Sequence, residues 1–268
     1  MPLIKPLRAV SRPVRMPSKC RLYAPLNEGA GVTVADPRGW SGGFVGGTSW
    51  ASGPWGPELD FPLAVASGVL FGAYLGPENV SVVALAQAVD SGTARTLVGK
   101  RVGLNGWQFF RNTTGNLALR VMSSNLSTSL PLPIGQYVAV GVSFTNGQGA
   151  TFYALGASGL SVQTVLSPVI HVPGTEPLWI GAYDNNGQPA NPWVGRIGAA
   201  MVFDGVLAEG VMVDLLNDVW SGRFGAIRGN SPRRVVYAGA LGVPAPPPPP
   251  PPAPRNVVRW FPGLRRAG

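Results

Sequence analysis

Leu178–Leu207 reads LWIGAYDNNGQPANPWVGRIGAAMVFDGVL. Leu178–Tyr183 is a short apolar run with aromatic and β-branched residues, the composition of a strand. Asp184–Pro192 follows as Asp-Asn-Asn-Gly, then Pro, Asn and Pro, which are turn residues. Trp193–Phe203 alternates, with Trp193, Ile197, Ala199, Met201 and Phe203 on one face and Val194, Arg196, Ala200 and Val202 on the other. The direct reading is two strands flanking a polar loop, a strand pair closed by a short helix. Asp204-Gly205 ends the second strand. The spacing of Met212, Leu215, Leu216 and Val219 predicts a helix over Glu209–Trp220, lying against one edge of the sandwich.

Working outward, the same pattern recurs. Strands are predicted at Leu22–Leu26, Leu59–Leu63, Val80–Val89, Thr96–Leu104, Gly106–Arg111, Leu117–Met122, Gln136–Phe144 and Thr151–Leu155. A further one, Leu160–His171, is an edge strand or breaks at Pro168. Val80–Val89 is apolar on both faces, as a central strand between layers should be. Asn105-Gly106 and Asn146-Gly147 are hairpin signals. Asn27–Gly47 reads as loop. Trp40, Phe44, Trp50 and Trp55 stud this glycine-rich region. They form either an exposed aromatic platform for sugars or, on the plainer reading, rings that fill gaps under loops. Short strands punctuated every 8–12 residues indicate an antiparallel sandwich.

Order and spacing also carry a resemblance. Leu26-Asn27-Glu28-Gly29-Ala30-Gly31, Val34-Ala35-Asp36-Pro37 and Gly42-Gly43 resemble the opening of laminin-G-like (concanavalin A-like) domains. Glu58-Leu59-Asp60-Phe61, Tyr137-Val138-Ala139-Val140 and Ala150–Gly156 resemble that family's later strands, and the Leu178–Leu207 stretch its C-terminal part. The resemblance covers residues 22–220. It implies an all-β fold, a concanavalin A-like (laminin-G-like) antiparallel β-sandwich jelly roll with one short helix, and it fixes no function. It also implies calcium on loops, for which Asp184, with Asn185 and Asn186, and Asp36 are the candidate ligands; a plain turn is the alternative at Asp184. No other cofactor is expected.

Composition narrows the classes. The single cysteine, Cys20, excludes an intrachain disulfide and any multi-cysteine zinc site. No run of 18 apolar residues occurs, so no membrane span is expected. Met1–Cys20 lacks the apolar core of a signal peptide and reads as a retained arm. Fourteen of the 21 basic residues fall in residues 1–21 and 223–268, where there is no acid. The middle holds the other seven with all 12 acids, so the net charge of +9 belongs to the ends. Basic arms suggest nucleic acid at first sight; arms docked on an acidic protein lattice explain them equally well, and nucleic acid is not the expected partner.

Catalytic chemistry is hard to find. Retaining glycosidases on this fold use Glu-x-Asp-x-x-Glu, and here Glu58-Leu59-Asp60 is followed by Leu63 in the third position. The sole histidine, His171, sits between Ile170 and Val172 and reads as a core or edge residue. No enzyme activity is expected. Tyr183, Asn185, Asn191 and Trp193 make a candidate sugar subsite, with rings to stack and amides to hydrogen-bond.

The ends differ in character. Residues 1–21 form a basic Pro-rich arm before a sandwich at 22–222. The Arg-rich extension 223–268 contains a polyproline spacer at 244–254. At 255–268, Arg255, Val257, Val258, Arg259, Trp260, Phe261, Leu264 and Arg265 form an apolar and cationic anchor. Arm, sandwich and anchor resemble bacteriophage virion proteins. That implies a non-enzymatic structural protein located in the virion (capsid decoration, head fibre or tail component), oligomeric, with other virion proteins as partners. The alternative is a carbohydrate-binding module recognising host surface glycans.

Overall fold

The computed structural model describes residues 19–223 apart from 38 and 64. The arm through residue 18, the extension from residue 224, its spacer at 244–254 and its anchor at 255–268 lie outside the described residues. The chain forms β1 (Cys20–Ala24), β2 (Thr33–Ala35), β3 (Ser41–Val45), β4 (Ser49–Gly53), β5 (Gly56–Phe61) and β6 (Gly68–Ala73). Then come β7 (Val80–Ala88), β8 (Arg95–Val102), β9 (Asn105–Arg111), β10 (Asn116–Val121), β11 (Ser124–Pro131) and β12 (Tyr137–Thr145). Next are β13 (Gly149–Gly156), β14 (Gly159–Leu166), β15 (Pro177–Ile180), β16 (Tyr183–Asn185), β17 (Gln188–Ala190), β18 (Gly195–Asp204) and α1 (Glu209–Trp220).

Two sheets result. The first has the order β14-β13-β12-β7-β18-β5-β4, and β1 shares the far side of β18 with β5. The second has the order β11-β10-β9-β8-β15-β6-β3-β2, with the hairpin β16–β17 attached at β8. The ladders between strands are antiparallel; the parallel pairings among the described residues are the single bridges Asp184 to Val102 and Ala88 to Ile134. The fold is thus an antiparallel β-sandwich jelly roll with one short helix. None of its described helices is long and apolar enough to cross a membrane.

The core lies between the sheets. In β7, Val80, Val82, Ala84, Ala86 and Ala88 face inward, opposite Trp107, Phe109, Leu117 and Leu119 of the second sheet. Phe109 and Phe152 meet across the layers, ring centroids 6.5 Å apart. Full burial of such a side chain contributes about 1.5–3 kcal/mol before entropy is counted. The other face of β7, with Val83 and Leu85, is also buried, because α1 packs there. Its Met212, Leu215, Leu216 and Val219 meet Ala139, Tyr153, Met201 and Phe203. The helix therefore covers the outer face of the first sheet, and the expectation that it lies against an edge is corrected.

A second correction concerns the strands of Leu178–Leu207. β15 and β18 are not partners. β15 pairs with β6 and β8 in the second sheet, whereas β18 pairs with β7, β5 and β1 in the first. The polar loop between them crosses the sandwich and closes its own small hairpin at Asn186 (φ 55°) and Gly187 (φ 81°). Alternation identifies a strand but not its neighbour. β18 also bulges between Ile197 and Ala199. Beyond Gly198 the parity reverses: Ala200 and Val202 join Trp193 and Ile197 in the core, while Ala199, Met201 and Phe203 face α1.

Candidate functional site

The residues singled out in the crossing loop occupy unlike surroundings. Tyr183 is half-buried, and the Arg101 guanidinium lies 5.0 Å from its ring centroid. Asn185 is exposed. Asn191 takes a left-handed φ of 45°, and its carbonyl accepts the Thr96 N–H at 2.9 Å. Trp193 is 0% exposed within the inter-sheet core. Its ring is unavailable for stacking, and its place in a sugar subsite is corrected on that ground. Its face in the alternation is the inward one.

The two candidate calcium ligands are also apart. The Asp184 carboxylate accepts the Gly187 N–H at 2.6 Å and closes the hairpin turn. Asp36 is buried and accepts the Tyr23 N–H at 3.0 Å. Asp184 sits beside β8 and Asp36 follows β2, four strand spacings away, or about 19 Å. One ion is not shared by both, and among the described residues no three His, Cys, Asp or Glu side chains converge as a metal site.

The glycine-rich aromatic stretch divides in two. Trp40 packs edge-on to Tyr74 at 5.4 Å, and Phe44 meets Trp50 at 5.6 Å; all four rings are part-buried against the core, filling gaps. Trp55 differs. At 37% exposure it stands in the β4–β5 turn, outside the first sheet. Its ring lies 5.2 Å from Tyr137 at 86°, and 5.8 Å from Trp220 at the end of α1. Gly222 makes room for it, since a Cβ there would lie 2.4 Å from Trp55 Cδ1.

Beside these rings, strand register builds a polar row. Ser49 pairs with Asp60, Asp60 with Arg196, Arg196 with Gln87, and Gln87 with Tyr137. Cross-strand partners share a face, so the row runs over five strands at right angles to them. Arg196 Nη1 donates to Glu58 Oε1 and to the Ser52 carbonyl, each at 2.9 Å, and its Nε lies 3.8 Å from Asp60 Oδ1. The Tyr137 hydroxyl donates to the same Glu58 oxygen. Glu58 is 2% exposed and lies against Gly53, where a Cβ would sit 2.1 Å from its Oε2. The Tyr137 phenol is held above its usual pKa by burial and then by its bond to Glu58, and the bond to Glu58 likewise raises that of Arg196.

A solvent-facing ring next to fixed hydrogen-bonding groups suits a polyhydroxylated ring with one apolar face. It does not resemble a hydrolytic centre. Glu58 and Asp60 are both turned onto Arg196 rather than facing each other across a bond to be cut. His171 is 2% exposed with Nδ1 3.4 Å from the Glu78 carbonyl, a core histidine. A second concavity of about 440 Å³ lies between Lys19, Pro77, Glu78, Asn79, Asp204 and Gly205, where the Asp204 carboxylate is engaged by Arg21. Sequence reasoning reached Trp55 but missed Tyr137, Arg196, Gln87 and Trp220. The signal was the outward parity of β5, β7, β12 and β18, readable once their register is known.

No protein-family model matches the chain, and no curated protein matches it. Solved structures do. Domain 4 of AbnA, a GH43 extracellular arabinanase from Geobacillus stearothermophilus solved with arabinotriose, superposes with a TM-score of 0.56 at 16% identity over 74% of this chain and 98% of that one. Trypanosoma rangeli sialidase, solved with sialic acid, gives 0.56 at 12% identity over 80% of this chain and 34% of its own. Botulinum neurotoxin type C, a toxin dependent on two ganglioside molecules, gives 0.52 at 11% identity over 75% and 51%. The chain thus spans about a third of the sialidase and half of the toxin chain, but nearly all of the arabinanase domain. At these identities the likeness is one of fold, a jelly-roll β-sandwich.

Proposed function

We propose that this domain is a non-catalytic carbohydrate-binding module, with its ligand lying on the part of the first sheet's outer face that α1 leaves open beside Trp220. The observation that carries this reading is Trp55, exposed and braced by Tyr137 and Trp220 beside the row Asp60–Arg196–Gln87. The indole takes the C–H face of a sugar ring, and the row meets its hydroxyls. The overlap with nearly all of an arabinanase domain solved with arabinotriose supports it. Host surface glycans are the class of ligand expected. A glycan array probed with the full chain and with Trp55→Ala tests the proposal. Binding by the first and its loss in the second is the expected result. No binding by either overturns the reading.

Attachment to a virion through the terminal arms is a separate role, compatible with sugar binding by the sandwich. It rests on residues outside the described ones, and the fold likeness lends it no support. Removing residues 255–268 separates the two, abolishing particle attachment while leaving sugar binding intact.

A further inference from the structure

Among the described residues no helix covers the outer face of the second sheet, and two arginines share that face. Lys100 pairs with the core residue Trp107, so its neighbour Arg101 points outward. Arg120, between the core residues Leu119 and Val121, points the same way. Gly99 lets the crossing loop lie directly on β8, since a Cβ there would be 2.8 Å from both the Ala182 carbonyl and Tyr183 Cβ. The Tyr183 ring is thereby set over the Arg101 guanidinium.

Arg101 is 4% exposed, yet poorly satisfied. Its Nη1 lies 3.5 Å from Gln108 Oε1, at the limit of a hydrogen bond, and its buried Nε has no partner. The Gln108 amide is itself turned to Thr96 at 2.7 Å. Arg120 lies over Phe110 at 5.6 Å and donates to Asn125. Carboxylates pair with Arg21, Arg95, Lys100 and Arg196, but among the described residues none pairs with Arg101 or Arg120. Burial, and then the Arg120 charge, disfavour the charged form of Arg101, opposed by Tyr183, whose side chain hydrogen-bonds the guanidinium. A buried guanidinium with its Nε unpaired, beside a second like charge and with no carboxylate partner, is costly unless an anion completes the group.

We infer that Arg101 and Arg120 form a binding site for a compact oxyanion, a carboxylate or sulfate group, walled by Tyr183 and Gln108. Planar guanidinium donors match both groups in shape. The site lies on the opposite sheet from Trp55 and stands independently of the function proposed above. It also gives Tyr183 a setting other than neutral-sugar recognition.

Calorimetric titration of the full chain with glucuronate, sodium sulfate and glucose at constant ionic strength tests it. Glucuronate or sulfate is expected to saturate one site, and glucose is not. Arg120→Gln, a change at a half-buried rim that leaves the core intact, should weaken the anion about tenfold or more. Arg223→Gln, an exposed arginine elsewhere, should leave it unchanged. Tighter glucuronate than sulfate means that the anion is carried on a sugar; the reverse means a free oxyanion, and both sustain the site. A non-saturating response equal in wild type and Arg120→Gln overturns it. So does binding lost in Trp55→Ala but kept in Arg120→Gln.

Discussion

The ring of Trp55 stands edge-on to Tyr137, centroids 5.2 Å apart at 86°. The Tyr137 hydroxyl is fixed in turn by Glu58, and Glu58 by Arg196. The exposed ring is therefore positioned by a buried polar network rather than by its own packing alone. Glu58→Ala leaves a phenol and a guanidinium without their acceptor and should cost about 2–3 kcal/mol. Glu58→Gln keeps one acceptor and should cost less. Urea denaturation of both variants checks the order, and glycan affinity should fall along with stability.

Trp193 makes the opposite case. Because it is fully buried, Trp193→Ala should destabilise by about 3–5 kcal/mol. Trp193→Phe, which keeps an aromatic ring in the core, should retain glycan binding. Loss of binding in a stably folded Trp193→Phe protein would contradict the inward placement.

Gly99→Ala places a methyl group against backbone as well as side chain, and backbone has little room to yield. The expected loss is about 1–3 kcal/mol, from overpacking alone. Thermal melts should register it. Gly103→Ala, with no atom near the added Cβ but a φ of 58°, tests backbone strain separately.

Stability should fall at both ends of the pH scale. Tyr74, Tyr137 and Tyr153 all have raised pKa values, burial being the first cause in each. The folded state holds these protons more tightly, so their contribution is complete below the ordinary tyrosine pKa of about 10 and is lost as pH rises above it. The Tyr74 hydroxyl is buried without a partner. Tyr74→Phe should be neutral or stabilising by up to about 1 kcal/mol at pH 7, and should flatten the alkaline loss. His171 is shifted the other way, its pKa lowered chiefly by burial. Its contribution is present above about pH 6.5 and fades as pH falls through and below that value. Denaturation midpoints from pH 4 to 11 check both limbs.

Much of the fold was legible. The helix spans Glu209–Trp220 as its apolar spacing requires, and β7 lies at the centre of its sheet as its two apolar faces require. Asn105-Gly106 and Asn146-Gly147 mark the turns of the β8–β9 and β12–β13 hairpins. β3 and β4 were not legible because glycine and serine supply no pattern, and β2 because three residues are too few to show alternation; their neighbours in the sheets hold them. β11 alternates through Leu126, Thr128 and Leu130, but its polar residues dilute the signal. The site was harder to see. Alternation ranks residues by face without saying which face is buried, which is how Trp193 misled. The row from Asp60 to Tyr137 exists only through register across strands far apart in sequence.

The central claim is that sugar binds at Trp55. Indole N–H signals of the tryptophans, assigned by substitution and followed by NMR during titration with the strongest ligand from a glycan array, test it most directly. The account predicts saturable shifts of Trp55 and Trp220, with the buried Trp107, Trp179 and Trp193 unmoved. Saturable binding that leaves Trp55 and Trp220 unmoved would contradict it.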